Sequence, residues 1–153
     1  MDREESIRFA KKYTEDMMSF FGLNVDVHAS ASEDVIELSV PSSYLSNILI
    51  GHDGGTLRSF QTLIRQTLIA KNAELVRVNL DIADYKKRHN EKLACQAEKW
   101  AKVVLETGET MALAPMNPAE RRVVHQVLSD YTQLSTESEG SGLARHIVIK
   151  KLA

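Results

Sequence analysis

The sequence contains one cysteine, Cys95, in 153 residues. A single thiol excludes an internal disulfide framework and a zinc cluster built on cysteines. The histidines add no metal-ligand spacing: His28, His89 and His146 are scattered along the chain. There are only three prolines and seven glycines, and no low-complexity stretch or internal repeat is visible. No apolar run approaches the roughly 18 residues that a membrane-spanning helix needs. The opening MDREESIRFAKKY is charged and lacks the apolar core of a secretory signal, so the expected location is cytoplasmic. A surplus of positive charge is also missing. The net charge is −2, which excludes a globally basic coat for nucleic acid.

What is present is the composition of a folded protein, 43% hydrophobic and 26% charged. The charge is unevenly spread: residues 1–83 carry 8 Lys/Arg against 12 Asp/Glu, whereas residues 84–153 carry 11 against 9. That asymmetry predicts two units, 1–83 and 84–153, with any electrostatic footprint mainly in the second.

Periodicity predicts a helix over 2–21, with Ile7, Phe9, Ala10, Tyr13, Met17 and Phe20/Phe21 inward and Gly22 at its end. Leu23, Val25, Val27 and Ala29 alternate, which predicts a strand over 23–29. SASED reads as a turn, and Ile36, Leu38 and Val40 mark a second strand. Pro41-Ser42 should open a short helix with Tyr44, Leu45, Ile48 and Leu49 on one face. After a glycine-rich loop, a helix from about Thr56 buries Leu57, Phe60, Ile64 and Leu68, and Leu75 to Ile82 form a strand. In the second unit Asp84 is the expected N-cap of a long helix carrying Tyr85, Leu93, Ala97, Trp100/Ala101 and Val104 inward. MALAP is a short strand. Asn117, Pro118 and Glu120 have the spacing of a capping residue, an N1 proline and an N3 acid. Two closing strands, about Thr132–Thr136 and His146–Leu152, flank SEGSG.

The loop in LIGHDGGTLRSFQ (Leu49 to Gln61) fits neither common nucleotide motif. A Walker A loop would need a Lys after its second glycine, and a dinucleotide fingerprint would sit between a strand and a helix. Gly51-His52-Asp53-Gly54 instead joins two helices. A Gly-x-x-Gly loop inside the order α-β-β-α-α-β is the arrangement of a type II KH domain, whose loop backbone clamps a single strand. The plain alternative is a helix–turn–helix joint that needs glycine for tight geometry. The loop pair is His-Asp rather than Lys or Arg, which weakens a phosphate contact.

Arg121 and His125 are four apart on the helix opened by Asn117 and so are neighbours on one face. An arginine can fork onto a phosphate, and a histidine can donate to one or stack on a base. The alternative is a surface arginine beside a histidine at the edge of the core. Basic clusters at Lys86 to His89 with Lys92, and at Arg145, His146, Lys150 and Lys151, could widen a phosphate track or be solvated faces. Tyr131 could stack a base or pack, and Cys95 has no visible activating partner.

DYKKRHNEKLACQAEKWAKVV, LETGETMALAPMNPAERRVVHQVLSD and STESEGSGLARHIVIK resemble an R3H domain, named for Arg-x-x-x-His. The Pro-Met-Asn-Pro-x-Glu-Arg-Arg-x-x-His run and the Ser-Glu-Gly loop are the most specific pieces. The whole, from about Leu23 to Lys151, resembles the bacterial Jag family, in which a KH domain precedes an R3H domain; IGHDGGTL matches that family's KH loop less well. Only about twenty residues precede the first expected strand, so the family's usual amino-terminal Jag domain is expected to be lacking.

The resemblance implies an α+β chain, a type II KH domain followed by a small R3H domain. It implies a cytoplasmic binder of single-stranded RNA (or single-stranded DNA) without catalysis or cofactor. It also implies a link to control of cell elongation and division, and a small KH-domain protein as a further partner. Gly51, His52, Asp53 and Gly54 would let phosphates approach; Arg121 would hold a phosphate, Arg122 a second one, and His125 would donate to or stack on the nucleotide. One rival is a protein-interaction module with a degenerate KH unit, favoured by the acidic first half. Another is a hydrolase using His125 and Glu120, for which no metal site or oxyanion hole is evident.

Overall fold

The computed structural model describes residues 1–152. The chain is α+β and divides into two compact units, Met1–Lys86 and Lys87 onward. Among the described residues no helix is long and apolar enough to cross a membrane.

In the first unit, α1 (Arg3–Ser19) begins with a reciprocal cap. Glu5 N–H donates to the Asp2 carboxylate at 2.9 Å, and Asp2 N–H donates to the Glu5 carboxylate at 2.9 Å. Gly22 (φ 79°) ends the helix through paired bonds, Leu23 N–H to Met18 O and Gly22 N–H to Ser19 O. The buried stripe is Ser6, Ala10, Thr14 and Met18. The expected aromatic stripe is therefore displaced: Phe9 and Tyr13 are half-buried and stack on each other, and Phe20 is exposed. The small residues take the inner face because the Ser6 and Thr14 hydroxyls donate to the carbonyls of Asp2 and Ala10, which satisfies them without water.

The strands β1 (His28–Ser32), β2 (Val35–Val40) and β3 (Arg77–Ile82) form a sheet in that order, with β1 antiparallel and β3 parallel to β2. The first strand thus lies five residues later than its alternation indicated. Leu23 and Val27 are buried as expected, but the segment before His28 has no ladder partner. The reason is register. Ser32 pairs Val35 across the Glu33-Asp34 turn and His28 pairs Ser39, so β2 ends at Val40, before Pro41, one position beyond the last pair. Burial gave the alternation, and pairing set the strand.

Helix α2 (Ser46–Ile50) is also later and shorter than expected. Ser43 N–H donates to the Ser46 hydroxyl at 2.8 Å, and Leu49 and Ile50 turn inward. Tyr44 and Ile48, expected on the inner face, are 82% and 63% exposed. A 3-10 turn over His52–Gly54 leads into α3 (Gly55–Ala70), which buries Leu57, Phe60, Ile64 and Leu68 as its periodicity required. Gln61 on α3 accepts from Leu80 N–H of β3 at 3.0 Å and from the Lys86 ammonium at 3.2 Å. Lys86 also reaches Asn79, and burial pushes its pKa below the ordinary lysine value.

The second unit contains most of α4 (Tyr85–Thr107), then β4 (Met111–Ala112), α5 (Pro118–Leu128), β5 (Leu134–Glu139) and β6 (His146–Lys151). Its sheet has the order β4-β6-β5 with both pairs antiparallel. Ala97, Ala101 and Val104 of α4 meet Val124 and Leu128 of α5 over Leu113, Leu134, Ile147 and Ile149, and Trp100 and Tyr131 are half-buried at the margin. Two expectations at the start of α4 are corrected. Asp84 has a left-handed backbone (φ 56°) rather than the extended one of a capping residue; the Asp81 carboxylate instead accepts Lys86 N–H at 3.2 Å. Tyr85, expected inward with the rest of α4, packs against the core of the first unit. Strand β5 begins two residues later than expected and runs on to Glu139.

Candidate nucleic-acid interface

The candidate residues divide between the units: Gly51, His52, Asp53 and Gly54 in the first, Arg121, Arg122 and His125 in the second.

The glycines of the loop are required by its own geometry. Gly51 stands at φ 73°, ψ −176°, a region open essentially to glycine alone, and a Cβ there would lie 2.2 Å from the Thr56 hydroxyl. Gly54 (φ 74°, ψ 15°) is left-handed, and a Cβ would meet the Tyr85 ring at 2.9 Å. Between them Asp53 is left-handed as well (φ 50°), a conformation aspartate tolerates better than most residues. His52 Nε2 lies 3.2 Å from the Asp53 carboxylate, with both side chains largely exposed. Such an exposed pair is weak, and it places an anion at the tip of the turn. The cation at this loop comes from elsewhere: the Arg58 guanidinium donates to the Asp53 carbonyl at 2.7 Å. Arg58 escaped the sequence reading, although its place one turn into the helix was a usable signal.

In the second unit Asn117 caps α5 as its spacing required. Glu120 N–H donates to the Asn117 side chain at 2.9 Å, and Asn117 N–H donates to the Glu120 carboxylate at 3.0 Å, with Pro118 in the first turn. The other Glu120 oxygen lies 2.9 Å from His89 Nε2 on α4. This pair joins the two helices and leaves Glu120 engaged away from His125. Asn117→Ala is expected to lower stability by about 1 kcal/mol, read as a lower urea midpoint; an unchanged midpoint would show that the cap contributes nothing.

Arg121 and His125 share a face by spacing, yet their polar atoms turn to different partners. The Arg121 guanidinium donates to the Met116 carbonyl at 2.6 Å. Met116 N–H donates in turn to the Arg145 carbonyl, so Arg121 and the chain at Arg145 meet at one residue, Met116. His125 Nδ1 lies 2.7 Å from the Thr136 hydroxyl and its Nε2 lies 3.3 Å from that of Ser138. Thr136 and Ser138 follow the buried Leu134 on one side of β5, so His125 continues the α5–β5 contact where the apolar core ends. Both ring nitrogens are therefore occupied by hydroxyls. Thr136 and Ser138 were missed from the sequence because they lie eleven and thirteen residues beyond His125. Arg122 is exposed.

The basic clusters are partly tied down. Lys86 is taken into the polar network on β3, while Lys87 is exposed. Lys150 pairs with Glu137 at 3.4 Å, Lys151 donates to the Leu105 carbonyl at 3.2 Å, and His146 Nδ1 lies 3.0 Å from the Ala144 carbonyl. Arg145 is exposed.

Fold and site together define an α+β protein whose second unit is built around an Arg-x-x-x-His helix, and residues 91–151 match the R3H domain family. The chain is 32% identical over 141 residues to the RNA-binding protein KhpB of Clostridium symbiosum, covering 92% of this chain and 64% of that protein. It is 30% identical over 151 residues to the protein of the same name from Bacillus subtilis (strain 168), covering 97% of this chain and 72% of that one. The chain thus spans just under two thirds of the length of the Clostridium relative. It belongs to the KhpB (Jag) family.

Proposed function

We propose that this chain is a cytoplasmic binder of single-stranded RNA, with residues 1–83 acting as a type II KH domain and 84–153 as an R3H domain. The observation that carries the reading is the Arg121–His125 helix, braced on β5, in a chain whose relatives are named RNA-binding proteins. In this reading Arg121 forks onto a phosphate beside the Met116 carbonyl, and the exposed Arg122 takes a second. His125 works by position, holding Thr136 and Ser138 beside that phosphate. The loop Gly51-His52-Asp53-Gly54 admits the strand closely but contributes little charge of its own. The reading includes no catalytic step, since Glu120 is paired with His89 and His125 with two hydroxyls. A small KH-domain protein as a further partner also belongs to the reading, and a mass measurement on a mixture of the two tests it.

The test of RNA binding is titration of a labelled single-stranded RNA mixture at several salt concentrations. Affinity should fall with salt by about 0.7 log units per tenfold for each phosphate contacted. No binding at low salt would overturn the reading in favour of a protein-docking role for the first unit.

A further inference from the structure

Beyond the loop, the outer face of α3 carries a hollow that the family reading leaves unassigned. Its volume is about 530 Å³, and it is lined by Gly55, Arg58, Ser59, Thr62 and Leu63. These residues recur at helical spacing on the side opposite Leu57, Phe60, Ile64 and Leu68. The hollow exists because Gly55 has no side chain, with open space where a Cβ would be, and Ser59 has a short one. Arg58 and Leu63 bound it, and Leu63 is 52% exposed.

We propose that this face is a ribose-reading subsite that selects RNA over DNA. The proposal rests on the RNA-binding function above and adds to it the chemistry of selection. The Ser59 hydroxyl donates to the Gly55 carbonyl at 3.1 Å, and the Thr62 hydroxyl donates to the Arg58 carbonyl at 3.0 Å. Each hydroxyl has one proton and two lone pairs. With its proton given to the helix, each faces the hollow as an acceptor only. A ribose 2′-hydroxyl can donate to such an acceptor; a deoxyribose cannot, and phosphate oxygens have no proton to give. Arg58 stands one residue before Ser59 and four before Thr62. One of its Nη atoms is held by the Asp53 carbonyl, and the rest of its five N–H groups can face a phosphate. It supplies the positive charge that the His52-Asp53 tip lacks. Leu63 provides an apolar surface for a base or sugar at the far end. Arginine, paired acceptors and an apolar patch in that order match the phosphate, ribose and base of one nucleotide step. A partner protein would find here a single cation and no buried apolar pocket.

The experiment compares three oligonucleotides of one sequence, as RNA, as DNA and as 2′-O-methyl RNA, on the full chain. The methylated form keeps the sugar shape of RNA but has no proton to donate. Wild type is expected to bind RNA more tightly than either of the others by roughly five- to tenfold, the weight of two ordinary hydrogen bonds. Ser59→Ala/Thr62→Ala, both at exposed helix positions where alanine is well tolerated, is expected to bring all three to one affinity. Arg58→Gln should weaken all three and lower the salt slope by about 0.7. Equal binding of the three by wild type, or an RNA preference that survives the double substitution, overturns the subsite while leaving RNA binding in place. Absence of RNA binding by wild type sinks both.

Discussion

Gly51→Ala is expected to destabilise the first unit by about 3 kcal/mol or more. Two independent effects act at that position. The backbone at φ 73°, ψ −176° lies outside the conformations a residue with a Cβ adopts without strain. The added carbon would also stand 2.2 Å from the Thr56 hydroxyl and 2.9 Å from the Thr56 nitrogen, and the second of these is backbone in the first turn of α3. Rotating the threonine relieves one contact only. Gly54→Ala carries the ordinary left-handed cost of about 1–2 kcal/mol at φ 74°, ψ 15°, plus whatever the Tyr85 ring, 2.9 Å from the added carbon, costs to shift. It should be milder only because that contact is to a side chain and not to backbone. Urea denaturation followed by far-ultraviolet circular dichroism checks both, and a loss below 1 kcal/mol at Gly51 would contradict the account. A consequence for function follows. Lost RNA binding in a glycine variant would report a distorted loop, whereas Asp53→Asn removes the anion and keeps a residue at ease with φ 50°.

Arg121→Ala and His125→Ala, the two residues of the R3H motif, are expected to fail in different ways. Removing the arginine takes away the proposed phosphate contact and, with it, one bond to the Met116 carbonyl. Affinity for single-stranded RNA should drop roughly tenfold and the salt slope should lessen by about 0.7, with stability little changed. Removing the histidine leaves two half-buried hydroxyls, those of Thr136 and Ser138, without their shared partner. Stability should fall by about 1–3 kcal/mol. RNA affinity should fall with it, while the salt slope stays at the wild-type value, because no phosphate contact has been lost. A His125→Ala protein of unchanged stability with a reduced slope would mean that the ring itself contacts phosphate. Thermal or urea unfolding beside the RNA titration separates the two outcomes.

These differences show where sequence reading reached and where it stopped. The Asn117-Pro118-Glu120 cap, the Leu57/Phe60/Ile64/Leu68 stripe and the Gly22 helix end were all legible. Each depends on bonds or periodicities spanning a few residues, which the sequence alone specifies. The pairing of Arg121 with His125 as a motif was legible for the same reason. The positions of β1 and α2 were not, because apolar alternation records which side chains are buried and not which backbone finds a partner. In the register that pairs His28 with Ser39, residues 23–26 would lie opposite 41–44, beyond the end of β2 at Val40, and that limit lies in another segment.

The site divides along the same line. Local sequence determined that a glycine turn joins α2 to α3 and that an arginine and a histidine share one face of a capped helix. Tertiary packing alone decided that His125 would be held by Thr136 and Ser138, that Glu120 would be paired with His89, and that Arg121 would meet the chain at Arg145 through the backbone of Met116. Such partners lie up to 31 residues apart in the chain. They meet because burying two apolar faces brings α5 onto β5 and α4 against α5, and polar groups at the margin of that core must then satisfy one another.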